Sequence, residues 1–496
     1  KGKDVNAKDI HGSTALIYVS GKGYIRIIKL LLDRGAFIDG KNRYGSTALI
    51  YAVNKGHMDV VKYLLDRGAR VNVRSRYGST ALLYAIRNDH IDLVKLLLDA
   101  GAQLININLN HTLILKAEKG SADIVRLVIE KGADVNTKTS SGSTPLILAV
   151  KGNHTETVKT LLDKGASLNE KDIHGSSALM YAVKESRAEI AGLLLDRGAL
   201  IADINISNAM LHEAGEGNVN MVRLLLDNGT DVDRRTSSGN TALIVAAMNN
   251  NLNMMNMLLY RGAHIDMKGA KGRTALMLAA EKGHVDIVNA LLNKGAGLNE
   301  QDIRGYTALM YAVNEGDPDI VRFLIDKGAD MDMMDKSGNT ALVFGVYKGY
   351  TKAVRLLLDK GAGIDVNKNN DVTALMLAAE KGHSNIVELL LDYGTGVDVK
   401  NKYGFTALMY ATTRGYSRIV SILLEKGAGV NLINNYGDTA LTYAVSKGHM
   451  SIVKLLLEKG ADVEVKTMSG YTALMLAEKY DRPKIADMLR HAGAME

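Results

Sequence analysis

Two apolar runs of different texture alternate along the whole chain. Between Asp302 and Asp330 the first run, Ala308–Val313, is short and built mostly of small residues. The second, Ile320, Val321, Phe323, Leu324 and Ile325, follows at helical spacing. Glu315-Gly316-Asp317 separates them and Lys327-Gly328 ends the unit. The pattern predicts a short helix, a break and a second helix. Thr307 stands at the first N-cap, where its hydroxyl takes a free N–H of the next turn. Pro318 suits the first turn of the second helix, where a missing N–H costs nothing. Lys327 places a cation at the negative pole of the dipole, and Gly328 is a C′ glycine. Ahead of both helices, Asp302-Ile303-Arg304-Gly305 predicts a turn.

The same unit recurs from end to end. Its closing glycine returns fifteen times, from Gly35 to Gly493. The spacing is 33 residues except from Gly101 to Gly132 and from Gly198 to Gly229, where it is 31. Residues 1–7 read as the tail of a preceding unit, because Gly2 is one period before Gly35. That spacing predicts that the chain is part of a longer array, with an uncapped apolar face on its first unit. The units then run 8–40, 41–73, 74–106, 107–137 (short), 138–170, 171–203, 204–234 (short), 235–267, 268–300, 301–333, 334–366, 367–399, 400–432, 433–465 and 466–496. A repeat of this length predicts one solenoid over 8–496, not the three or four domains that 496 residues would otherwise suggest.

The residues carrying this pattern, Gly-x-Thr-Ala-Leu-Met-x-Ala and then a half such as Gly56-His57-Met58-Asp59-Val60-Val61-Lys62-Tyr63-Leu64-Leu65-Asp66-Arg67-Gly68-Ala69, resemble the ankyrin repeat. The resemblance covers essentially the whole chain. It implies an all-α repeat solenoid, a curved and elongated stack. Each unit would hold two antiparallel helices and a projecting β-hairpin finger, with first helices and fingers lining a concave face. It also implies a protein-interaction role, with binding residues at the finger tips and near the end of the first helix.

The pattern changes in five units. The short units read Ile105-Asn106-Ile107-Asn108-Leu109-Asn110 and Asp203-Ile204-Asn205-Ile206-Ser207, without a turn glycine, so their fingers should be short or re-formed. Thr139-Ser140-Ser141-Gly142 and Thr236-Ser237-Ser238-Gly239 follow them 97 residues apart, as a block duplication would leave them. Unit 12 puts Asp371 at its turn glycine. Unit 8 carries Met254, Met255 and Met257 where other units place core Ile, Val and Leu. The last unit, with Asp481-Arg482-Pro483-Lys484, is polar enough for a terminal cap.

Composition adds exclusions. Cysteine is absent, which removes disulfides, thiolate metal sites and a cysteine nucleophile. His57, His90, His154, His284, His383 and His449 each begin a second helix, and His174 also sits at a repeat position, so these read as structural. No His/Asp/Glu group has metal-ligand spacing, and the glycines are spent on turns and helix ends. No catalytic residue, metal site or cofactor is expected, and no apolar run is long enough to span a bilayer. Function must then lie in surfaces.

Charge points to one. The thirty sites seven and eight residues past the threonine carry twelve basic residues and six acidic ones, Glu118, Glu185, Glu216, Glu281, Glu315 and Glu380. That excess nearly accounts for the net charge of +7. The densest run is Lys348, Lys381, Arg414 and Lys447, beside Tyr347, Tyr403, Phe405, Tyr436 and Tyr471. Aromatic residues with basic neighbours are typical interface anchors. The expected partner is an acidic, extended protein segment and the expected role a non-enzymatic scaffold. A targeting or regulatory arm of a larger enzyme, toxin or channel ranks second. Polyanion binding ranks third, because +7 over this length is weak. Compartment and oligomeric state leave no mark in the sequence.

Overall fold

The computed structural model describes residues 4–105, 107–201, 206–364 and 372–495. Gly2, Asn106, Asp203, Ile204, Asn205 and Asp371 lie outside the described residues. So part of the tail reading, most of one short finger and the substituted turn of unit 12 have no structural counterpart here.

The chain forms two compact bodies, Lys1–Ile206 and Ser207–Glu496. Among the described residues the first holds six helix pairs, from Ala15–Lys22 with Ile25–Asp33 to Ala178–Lys184 with Ala188–Asp196. The second holds nine among its described residues, from Ile206–Glu216 with Val219–Asp227 to Ala473–Lys479 with Pro483–His491. Every second helix has nine residues, and every first helix has seven or eight apart from two of eleven. Strand pairing among the described residues is confined to two isolated bridges, Lys8 with Thr14 and Lys171 with Ser177. The fold is an all-α repeat architecture.

Local chemistry sets each helix. Threonine at the first N-cap accepts the N–H three residues on, as Thr47 does from Ile50 and Thr307 from Met310. Losing such a cap costs about 0.5–2 kcal/mol. Asp317 caps the second helix of its pair by accepting from Asp319 and Ile320, with Pro318 at the first helical position. Packing then buries the apolar stripes: Ile320, Val321 and Leu324 are fully buried, and Met254 and Met255 likewise fill the core. Many pairs are riveted to the next through a polar side chain four residues after the closing glycine. Asn72 Oδ1 accepts from the Gln103 N–H at 2.8 Å, Asn299 from Asp330 at 3.0 Å and Asp398 from Gly429 at 2.9 Å. Across the second-helix ends run exposed ion pairs such as Arg197–Asp163, Lys360–Asp326 and Lys426–Asp392, each individually weak.

In both short units the first helix begins early among the described residues, taking in the end of the finger segment. The eleven-residue helices Leu109–Lys119 and Ile206–Glu216 start two residues ahead of the usual cap position, now His111 and Asn208. Asn108 takes over capping and accepts from the His111 N–H. Each of these helices buries one charged residue. Lys116 is paired with Asp89 at 2.7 Å and donates to the Arg87 carbonyl, while Glu213 accepts from Asn218 Nδ2 at 2.7 Å. A buried charge persists only when partnered in this way.

Candidate interaction surface

The fingers are turns held by one side chain at their base, five residues before the threonine. Asn42 Oδ1 accepts the N–H groups of Tyr44 and Ser46, both at 3.0 Å. Asn401 does the same for Tyr403 and Phe405, and Asp302 for Arg304 and Tyr306. The same residue bonds a tyrosine hydroxyl on the first helix: Asn42 Nδ2 donates to Tyr51 at 3.1 Å, Asn401 Nδ2 to Tyr410 at 3.0 Å, and Tyr311 donates to Asp302 at 2.8 Å. Successive fingers are joined by a backbone rung. The Arg76 N–H donates to the Tyr44 carbonyl at 2.8 Å, Asn435 to Tyr403 and Met468 to Tyr436, both at 3.0 Å. These rungs put each of the three fingers in register with the one before it.

The basic residues chosen by spacing share one location. Lys22, Lys55, Arg87, Lys119, Lys151, Lys184, Lys282, Lys348, Lys381, Arg414, Lys447 and Lys479 all lie in the last turn or at the C-cap of a first helix, and all are exposed. Three of the six opposing carboxylates are occupied. Glu185 pairs with Arg187, Glu281 with Arg273 at 2.8 Å, and Glu380 with Arg414 at 2.6 Å.

Among the residues expected to bind, the structure separates free groups from engaged ones. Lys348 and Lys447 form no ion pair among the described residues. Lys381 lies 4.5 Å over the ring of Tyr347, itself 53% exposed. Arg414 is held by Glu380, whose hydrogen bond and charge push the guanidinium pKa up. Tyr403 and Tyr436 are exposed at successive finger tips. Phe405 is packed: its ring centroid lies 5.5 Å from that of Tyr410 and 5.6 Å from that of Tyr443. Burial pushes both phenols up, Tyr443 to about 12 with the Asp438 charge adding to the effect. Tyr471 is half-buried under Lys479, 4.1 Å from its ring.

The histidines that begin second helices cap nothing with their side chains. Instead the rings of His57, His90, His154, His383 and His449 pack on the glycine that ends the first helix of the preceding unit, and His57 Nε2 donates to the Gly21 carbonyl at 3.2 Å. A Cβ on Gly349 would come within 2.6 Å of the His383 ring, and Gly349 has φ +81°, so glycine is required there twice over. Among the described residues no group of His, Cys, Asp and Glu could hold a metal ion, and no helix is long and apolar enough to cross a membrane.

Spacing missed one feature. Tyr44, Ser46, Ile50, Tyr51, Asn54, Tyr77 and Tyr84 enclose a cavity of about 190 Å³ between the second and third pairs. The signal was present in the sequence: tyrosine three before and four after the threonine in two successive units, with the small Ser46 between.

The sequence matches the family model described as ankyrin repeats (3 copies) over residues 1–75, 42–111, 72–139, 113–208, 199–269, 276–370, 362–434 and 427–495. No curated protein matches it. Chains of solved structures do, 533 of them. One is the ankyrin repeat domain of Bcl-3, described as a unique member of the IkappaB protein family, at 30% identity and a TM-score of 0.41, covering 44% of this chain and 99% of that one.

Proposed function

The chain belongs to the ankyrin-repeat family, whose members are generally protein-interaction modules, and on that premise we propose that it is a non-enzymatic scaffold whose basic lip binds an acidic, extended protein segment. The observation carrying this reading is the exposed basic row at the first-helix ends, with half of its opposing carboxylates already paired. Lys348, Lys381 and Lys447 supply the unpaired charge, and Tyr347, Tyr403 and Tyr436 supply exposed aromatic contact area. Arg414 contributes orientation through Glu380, while Phe405 and Tyr471 shape the surface from beneath.

The test is a fluorescein-labelled Asp/Glu-rich peptide titrated with the wild-type chain and with Lys348→Glu, Lys381→Glu, Lys447→Glu combined. The triple variant should weaken binding at least about tenfold. Equal affinity for both proteins removes the lip from the reading. A single-stranded oligonucleotide run over a salt series separates the polyanion alternative, which a steep salt slope and tighter binding would favour.

A further inference from the structure

We infer that the tyrosine-lined cavity between the second and third helix pairs is a second recognition site, which accepts one aromatic side chain presented by an acidic peptide segment. The chain supplies its own precedent. Tyr403, Tyr410, Tyr436 and Tyr443 occupy the same repeat positions as Tyr44, Tyr51, Tyr77 and Tyr84. In that later copy Phe405 stands where Ser46 stands in the earlier one, and its ring sits between Tyr410 and Tyr443. Tyr306 does the same between Tyr311 and Phe344, with ring centroids 5.6 Å and 5.0 Å apart. Twice, then, this cradle holds an aromatic ring from its own finger. Where the finger offers only Ser46, the space is open.

Size and charge narrow the occupant. Pockets for free small molecules run to about 300–1,000 Å³, so a cavity of about 190 Å³ suits a single side chain. Its lining is four tyrosines with Ile50, Ser46 and Asn54, and tyrosine rings favour a further ring packed offset or edge-on. The rim is basic. Arg43 and Arg76 immediately precede Tyr44 and Tyr77, Lys55 follows Asn54, and Arg87 ends the helix carrying Tyr84. All four are exposed and form no ion pair among the described residues. No acidic residue occurs in 40–56 or 73–88, and Asp89 just beyond is held by Lys116. A single half-open recess favours a peptide over single-stranded nucleic acid, which needs successive stacking platforms.

The site rests on the scaffold reading for the class of its partner but lies on different residues. The chain contains no tryptophan, so a short Asp/Glu peptide with one central Trp reports alone by fluorescence. Adding the full chain should shift the indole emission to the blue. Ser46→Phe should abolish the shift, because the plug it adds already exists at Phe405. Tyr77→Ala, at a side chain 76% exposed, should weaken binding at least about tenfold without affecting folding. Lys348→Glu, Lys381→Glu, Lys447→Glu should leave the blue shift intact, so failure of the lip and failure of the slot are read separately. The inference is overturned if Ser46→Phe and Tyr77→Ala bind as the wild type does. It is equally overturned if the peptide with Ala for Trp competes as well as the original, or if a single-stranded oligothymidylate displaces the peptide at lower concentration.

Discussion

The second and third helix pairs and the thirteenth and fourteenth carry the same four tyrosines, yet one copy is open and the other closed. Their frames match closely: Asn42 and Asn401 hold their fingers with the same bonds, and the finger rungs Arg76–Tyr44 and Asn435–Tyr403 correspond. Three of the seven lining positions differ, Ser46 against Phe405, Ile50 against Met409 and Asn54 against Thr413, and of these only Phe405 brings in a ring. In a repeat protein the frame is common property, and a single side chain on it decides whether a local surface is a recess or a filled ridge.

The largest effect should come from breaking what the two regions share. Asn42→Ala or Asn401→Ala strips the acceptor from two finger N–H groups and the partner from a tyrosine hydroxyl, which should cost about 2–4 kcal/mol locally. Amide exchange at Tyr44 and Ser46, or at Tyr403 and Phe405, should accelerate to a similar degree in both. A large inequality would mean that the frames are not equivalent. Exchange is the better readout, because long repeat arrays need not unfold as one unit.

Phe405→Ser should come next. It removes a half-buried ring from its two neighbours and should cost about 2 kcal/mol, less than a fully buried Phe→Ala change. A change below the error of the exchange measurement would show that the ring adds little where it sits.

The reverse change, Ser46→Phe, should stabilise the second and third pairs by about 1 kcal/mol through two new aromatic contacts. Destabilisation there would show that the open copy cannot accept the ring which the closed copy accepts.

The smallest effect is spectroscopic. Tyr443 ionises at about 12 because it is buried and faces Asp438. Its folded pKa lies above the ordinary value near 10, so its contribution to stability is complete below pH ~10 and is lost as pH rises towards ~12. Phe405→Ser admits water to the phenol and should move its ionisation down in a phenolate absorbance titration. An unmoved titration would assign the shift to Asp438 alone.

Much of the architecture was legible because helix signals are local. Thr307, Pro318 and Gly328 act within one turn of themselves, and the apolar spacing of Ile320, Val321 and Leu324 needs no distant information. The basic row was legible too, since register alone placed twelve residues at first-helix ends. The engagement of individual groups was not. Glu380 and Arg414 are 34 residues apart and meet only across the packing of neighbouring pairs. The short units show the same limit. Their missing glycines foretold altered fingers, but only packing showed helices of eleven residues, each with a partnered internal charge.

By itself, then, the sequence determined the period, the helix pair, the caps and the sign of the lip, because each is set by residues within a few positions of one another. Tertiary structure alone decided which aromatic rings are anchors and which are filling. Phe405 and Ser46 sit at one position of one repeating unit, and their roles differ because a ring between Tyr410 and Tyr443 closes a space that a hydroxymethyl group between Tyr51 and Tyr84 leaves open. That volume is bounded by residues from two successive pairs, so no single unit encodes it.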